Sequence, residues 1–156
     1  MTYLFSGCSS LTSIDLSKFN TKNIRSLRDL FYGCSSLISV NLSNIITNDV
    51  YDLSNLFYGC YSLTSISLSN FDTQNVKDMT YMFYNCSSLK SINLSNFYTP
   101  ILTDLNYIFY NCSNLIYIDI SNLVLNSDKN YSIFNSLPEN GDIIVNIKFF
   151  IIGTKL

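Results

Sequence analysis

Enzymes need nucleophiles, acid/base pairs or metal ligands, and this sequence offers five cysteines, eleven carboxylates and many serines but no histidine. The commonest general base and the commonest metal ligand near neutral pH are therefore both missing. The cysteines stand at 8, 34, 60, 86 and 112, a constant step of 26. Zinc sites draw ligands from close pairs such as C-x-x-C with histidine, so this spacing predicts no metal centre. If equivalent residues stack, neighbouring cysteine Cα atoms come within roughly 5 Å, inside disulfide reach. Side chains stacked parallel and in register do not easily reach the required dihedral near 90°. Buried thiols are thus the expected state of Cys8, Cys34, Cys60, Cys86 and Cys112, because a small, weakly polar side chain suits a tight corner.

The carboxylates give no acid/base pair. Asp52, Asp78 and Asp104 share one repeat position and predict an acidic column on a solvated face, spaced by about a helix diameter, roughly 10 Å. Asp15 and Asp119 fall on a common face but four units apart, a separation of roughly 20 Å that exceeds what glycosidase carboxylates use. Serine is abundant, yet no histidine and no G-x-S-x-G elbow activates it. The sequence predicts no catalytic residue and no cofactor, and the chain is expected not to be an enzyme.

The 26-residue step belongs to the whole chain, since Phe5, Phe31, Phe57, Phe83 and Phe109 keep it too. Self-similarity at such a period signals stacked repeats that bury a continuous core. Leu11, Ile14 and Leu16 follow L-x-x-L-x-L spacing, and Ile14 and Leu16 alternate as a half-buried strand does. Each later unit repeats this through Leu115/Ile118/Ile120. In the second half of the unit Ile24, Leu27, Leu30 and Phe31 form the apolar stripe of a helix of about three turns. Thr21, Thr47, Thr73 and Thr99 occupy N-cap positions, with Pro100 in the first turn. Gly33, Gly59, Asn85 and Asn111 follow the last turn as left-handed C-caps. These signals predict an α/β leucine-rich-repeat solenoid, a short horseshoe with one strand and one helix per unit and about six parallel strands on the concave face. Its organisation reads as one domain over 1–156: a partial unit at 1–7, five repeats over 8–136 and an atypical capping unit at 137–156. In that cap Ile143 and Val145 are expected at the two core strand positions, after a Pro138–Gly141 turn.

The consensus C-S-S-L-x-S-I-x-L-S-N-F, with the Met82-Phe83-Tyr84-Asn85-Cys86 joint, resembles the BspA-like leucine-rich repeat surface proteins of host-associated bacteria and anaerobic protists. The likeness runs from about residue 4 to residue 147. It implies a cell-surface or secreted protein, often adhesive, with units stacked in long arrays, and it brings no catalytic residues. The sequence itself shows no signal peptide, so the surface address rests on the resemblance alone.

What remains is binding. Strand alternation places Asp15, Asn41, Ser67, Asn93 and Asp119 on the concave face amid a lattice of serines, with Tyr117 as its one large side chain. This column either sets ligand specificity or is simply solvated and cross-bonded. Tyr32, Tyr58, Tyr84 and Tyr110, with Tyr81 and Tyr107 beside them, offer a second surface. The expected partner is a host or matrix protein; the alternatives are an intracellular interaction scaffold and recognition of a repetitive glycan. A net charge of -2 and the lack of a basic patch exclude nucleic acid. The longest apolar run, Ile143 to Ile152, is interrupted by Asn146 and Lys148 and is too short to span a bilayer. The chain opens inside a unit, so its first rung is expected to expose an uncapped apolar edge: either the chain is a fragment of a longer array or its start is mis-assigned, and a monomer beginning here risks end-to-end self-association.

Overall fold

The computed structural model describes residues 1–124, 137 and 143–146. Among the described residues there are five three-residue strands: β1 (Ser13–Asp15), β2 (Ser39–Asn41), β3 (Ser91–Asn93), β4 (Tyr117–Asp119) and β5 (Ile144–Asn146). They pair in parallel as two open sheets, β1-β2 and β3-β4-β5, and Ile14, Ile92 and Ile118 keep their register on Val40, Ile118 and Val145. The repeating pattern is compatible with a solenoid. A single continuous concave sheet is not observed, because the third unit forms no strand at Ser65–Ser67.

A local reason for that gap lies one residue past each strand core. Asp15, Asn41, Asn93 and Asp119 each accept, through Oδ1, the amide two residues on, at 2.8, 3.1, 2.9 and 3.0 Å. Such Asx turns fix the backbone leaving the strand. Ser67 has a shorter side chain and instead meets the hydroxyl of Ser69 at 3.3 Å.

The helices expected over Ile24–Phe31 and its equivalents do not form; no helix occurs among the described residues. This half of each unit is a run of tight turns linked to the next rung. Amides of Leu27, Asp29, Phe31 and Gly33 donate to the carbonyls of Asp52, Ser54, Leu56 and Tyr58, at 2.7 to 3.1 Å. Between them Leu30, Tyr32 and Cys34 donate three residues back, to Leu27, Asp29 and Phe31. Half the amides therefore bond along the stack, a pattern that an α-helix, with all its bonds internal, excludes. The turns need left-handed residues inside the segment, and Asp29, Asn55, Tyr81 and Tyr107 have φ of 54°, 55°, 57° and 57°. Gly33, Gly59, Asn85 and Asn111 are left-handed as their types suggested, with φ of 58–69°, but they close turns and cap no helix.

The threonine column changes role for the same reason. Thr21, Thr47, Thr73 and Thr99 are buried, and their hydroxyls bridge to the next rung. Thr47 Oγ1, for example, accepts from Asp72 N at 2.7 Å and lies 3.0 Å from Asp72 O, to which it donates. Pro100 follows Thr99 inside a turn closed by Leu102 N to Thr99 O at 3.2 Å, where its fixed φ is at home. Asp52, Asp78 and Asp104 are bridge-paired neighbours, so they stand one strand spacing apart, about 4.8 Å, and not a helix diameter. A strand-plus-helix unit curves into a horseshoe because helices stack at about 10 Å and strands at about 4.8 Å, and stacked turns, which rise like strands, remove that mismatch.

The core runs through the stack as columns of identical residues. Phe31, Phe57, Phe83 and Phe109 are fully buried, and the rings from Phe5 to Phe109 stack at centroid distances of 5.5 to 5.8 Å. Offset stacking at this distance adds to the area each ring buries. In the first rung Phe5, Leu11, Ile14 and Ile24 are only partly buried. In the capping unit Val145, and not Ile143, lies opposite Ile118, two residues from the expected register. A slip of two preserves the face, so both Ile143 and Val145 still pack on the core while Ile144 is 65% exposed. The expected Pro138–Gly141 turn and the rest of the 137–156 unit lie outside the described residues.

Candidate functional site

The cysteine column sits at the corner between the turn segment and the strand. Cys34, Cys60, Cys86 and Cys112 are fully buried and free, and each thiol donates to the carbonyl of the core phenylalanine one rung earlier, at 3.0 to 3.3 Å. Burial pushes the Cys34 thiol up to about 11 and the Cys112 thiol to about 12, and raises Cys60 and Cys86 further. Thiolates are the nucleophiles and metal ligands, so these four are inert where they lie. Cys8, expected to be buried with the others, is exposed, because no earlier rung among the described residues covers it. Among the described residues no three histidine, cysteine or acidic side chains are grouped to hold a metal ion.

On the strand face, the column singled out for specificity is engaged by the fold itself. The Oδ1 atoms of Asp15, Asn41, Asn93 and Asp119 hold the Asx turns. Asp119 is buried, and its second oxygen accepts from Tyr117 Oη at 3.3 Å and Asn146 Nδ2 at 3.0 Å. Burial would raise its carboxyl, but the donors Ser121, Asn146 and Tyr117 together hold it below the ordinary value. Tyr117 is raised by burial and by that carboxylate. Asp15 is lowered, chiefly by Ser17. Ser67 remains exposed with its neighbour Ser69. The lattice of Ser13, Ser39, Ser65 and Ser91 is exposed and regular.

Relief is greater on the turn flank. Tyr32, Tyr58, Tyr84 and Tyr110 stack face to face at 4.6, 4.6 and 4.9 Å, and Tyr81 stacks on Tyr107 at 5.2 Å. The second pair meets the first column edge-on: Tyr81 lies 6.3 Å from Tyr58 and 5.5 Å from Tyr84, and Tyr107 lies 6.0 Å from Tyr110. Burial, and then the neighbouring phenols, raise Tyr58 and Tyr84 above their ordinary value. Both stay neutral donors at physiological pH. Tyr32 and Tyr110 at the column ends remain 40% and 43% exposed.

Beside this array lies an open concavity of about 540 Å³, whose lining includes Arg28, Asn55, Tyr58, Asp78, Tyr81 and Tyr84. Its origin is a change of residue within one column, which reads Asp29, Asn55, Tyr81, Tyr107. Tyr107 covers one face of Tyr81, and the smaller Asn55 leaves space on the other side. Arg28 is tied by its Nε to Asp29 Oδ2 at 3.0 Å. Asp78 Oδ1 accepts from Thr80 N at 2.8 Å and from the Thr80 hydroxyl, and its Oδ2 takes no hydrogen bond among the described residues. Periodicity found both tyrosine columns but not this hollow; the signal for it was the switch from Asn55 to Tyr81 at an otherwise conserved spacing.

Fold and surface together define a repeat protein of parallel stacked rungs. The chain belongs to the family described as Mycoplasma protein of unknown function, DUF285, whose model matches residues 1–123. No curated protein and no solved structure matches it. Among the described residues no helix is long and apolar enough to cross a membrane.

Proposed function

We propose that this chain is a protein-binding module of an adhesion-type, BspA-like leucine-rich repeat surface protein, and that it engages a host or matrix protein chiefly through its tyrosine flank. The observation that carries this reading is the orientation of the rings. Stacking along the column covers the faces of Tyr58 and Tyr84, leaving edges and hydroxyls at the surface. Tyrosine edges and hydroxyls bring contact area and hydrogen bonds at low cost in side-chain entropy, which suits a protein partner. A glycan is a poorer match for this column, because sugar rings pack on open aromatic faces and those of Tyr58 and Tyr84 are occupied. An intracellular scaffold would use the same flank, so only the compartment separates that reading from the surface one. The fold gives support of a different kind: four thiols donate to carbonyls and the strand-face carboxylates hold turns, so chemistry has little to work with and binding is the better assignment.

The test is biolayer interferometry of the purified chain against a panel of immobilised matrix proteins, run beside a Tyr58→Ser/Tyr84→Ser variant. Serine already fills this column at Ser6, so the variant keeps a residue type the turn accepts. At least one panel member is expected to bind the parent chain, with a loss of about tenfold or more in the variant, as for removal of interface anchors. No binding across the panel, or equal binding by both proteins, overturns the reading.

A further inference from the structure

The concavity between Asn55 and Tyr81 has a definite chemical character. Two formal charges line it. Arg28 is paired through its Nε with Asp29, and Asp78 keeps one carboxylate oxygen unengaged, so one cation and two anions about the hollow leave it net negative. Asp52 and Asp104, bridge-paired to Asp78 on either side, reinforce the negative potential there. The side of Tyr81 turned away from Tyr107 borders the same space, and an aromatic face attracts cations through its quadrupole. Tyr81 holds this place in a left-handed conformation, φ 57°, that asparagine or glycine adopts at lower cost. A carboxylate and an open phenol face bordering one hollow select a cation over an anion or an apolar group.

We propose that this hollow binds a basic side chain, lysine or arginine, presented by the protein partner, with the charged head between the open face of Tyr81 and the carboxylate of Asp78. The inference deepens the protein-binding reading and rests on it. The flanking tyrosine hydroxyls would then meet the partner backbone on either side of the inserted residue. A free ammonium or guanidinium head enters from solvent without crossing a barrier, because the hollow is open.

The probes are Nα-acetyl-arginine methylamide and Nα-acetyl-lysine methylamide, with the norleucine analogue as the uncharged control, titrated into the full chain with tyrosine ring signals followed by NMR. Saturable shifts of the Tyr81 ring with a basic probe, and none with norleucine, are expected. Asp78→Asn and Tyr81→Asn should each weaken the basic probes by about threefold to tenfold. Asparagine at 81 repeats what Asn55 does one rung earlier, so that variant keeps a residue suited to the left-handed turn. Absence of shifts with both basic probes, equal response to norleucine, or unchanged affinity in both variants overturns the proposal. If Tyr58→Ser/Tyr84→Ser abolishes binding to a panel protein while Asp78→Asn leaves it untouched, the tyrosine flank stands and the basic-residue site falls.

Discussion

Replacing Asn55 by alanine and by glycine separates a helical segment from a ladder of turns by the sign of one difference. Asn55 has φ 55°, and its amide donates to Thr80 O at 2.9 Å, a bond either substitution leaves available. In a left-handed conformation the alanine Cβ crowds the following carbonyl, costing about 1–2 kcal/mol, whereas glycine meets no such clash. Glycine also loses more freedom on folding, a few tenths to about 1 kcal/mol, which offsets part of its advantage. Asn55→Gly should therefore be more stable than Asn55→Ala by about 1 kcal/mol. In a helix interior the order reverses, with alanine better than glycine by about 1 kcal/mol and better than asparagine as well. For a chain of this size, about 1 kcal/mol corresponds to roughly 2–4 °C in Tm. Thermal melts by circular dichroism, with urea titrations as a second measure, resolve that gap. An alanine variant at least as stable as the glycine variant would refute the turn ladder.

Two further outcomes follow from the same geometry. Native alkylation at pH 8 should modify Cys8 promptly and leave Cys34, Cys60, Cys86 and Cys112 unreacted, because burial and raised thiol values keep the thiolate fraction very small. Intact-mass spectrometry should count one adduct in the native chain and five after denaturation, and rapid labelling of most thiols under native conditions contradicts the packing described. Ser67→Asn should install in the third unit the Asx turn that Asn41 and Asn93 make to Ser43 and Ser95, stabilising the chain by about 0.5–1.5 kcal/mol. A midpoint in urea that falls or stays put would show that the missing strand at 65–67 has another cause.

The surface was less legible than the core. Columns of cysteine, phenylalanine and tyrosine are properties of spacing, and any fold that stacks units every 26 residues must line them up. The hollow beside Tyr81 depends on the difference between two neighbours in one column, Asn55 and Tyr81, and on which ring face the next tyrosine covers. Spacing carries neither. The strand-face column showed the reverse problem, since Asp15, Asn41, Asn93 and Asp119 vary in identity as a specificity column would, yet each of the four accepts, through Oδ1, the backbone amide two residues on. Aspartate and asparagine make the same Asx turn, so their exchange carries no information about a ligand.

The linear pattern by itself determined the repeat, its length, the parity of the strands and the buried columns of leucine, phenylalanine and, from Cys34 on, cysteine. Those follow from side-chain hydrophobicity at fixed intervals, which is a one-dimensional property. Only the tertiary structure decided what the backbone between strands does. Apolar residues at i, i+3 and i+7 are buried equally well by a helix and by a chain of tight turns, and the two differ in whether an amide finds its carbonyl four residues back or 25 residues ahead. That second partner exists only once the next rung is stacked in place, so the choice belongs to the assembled stack.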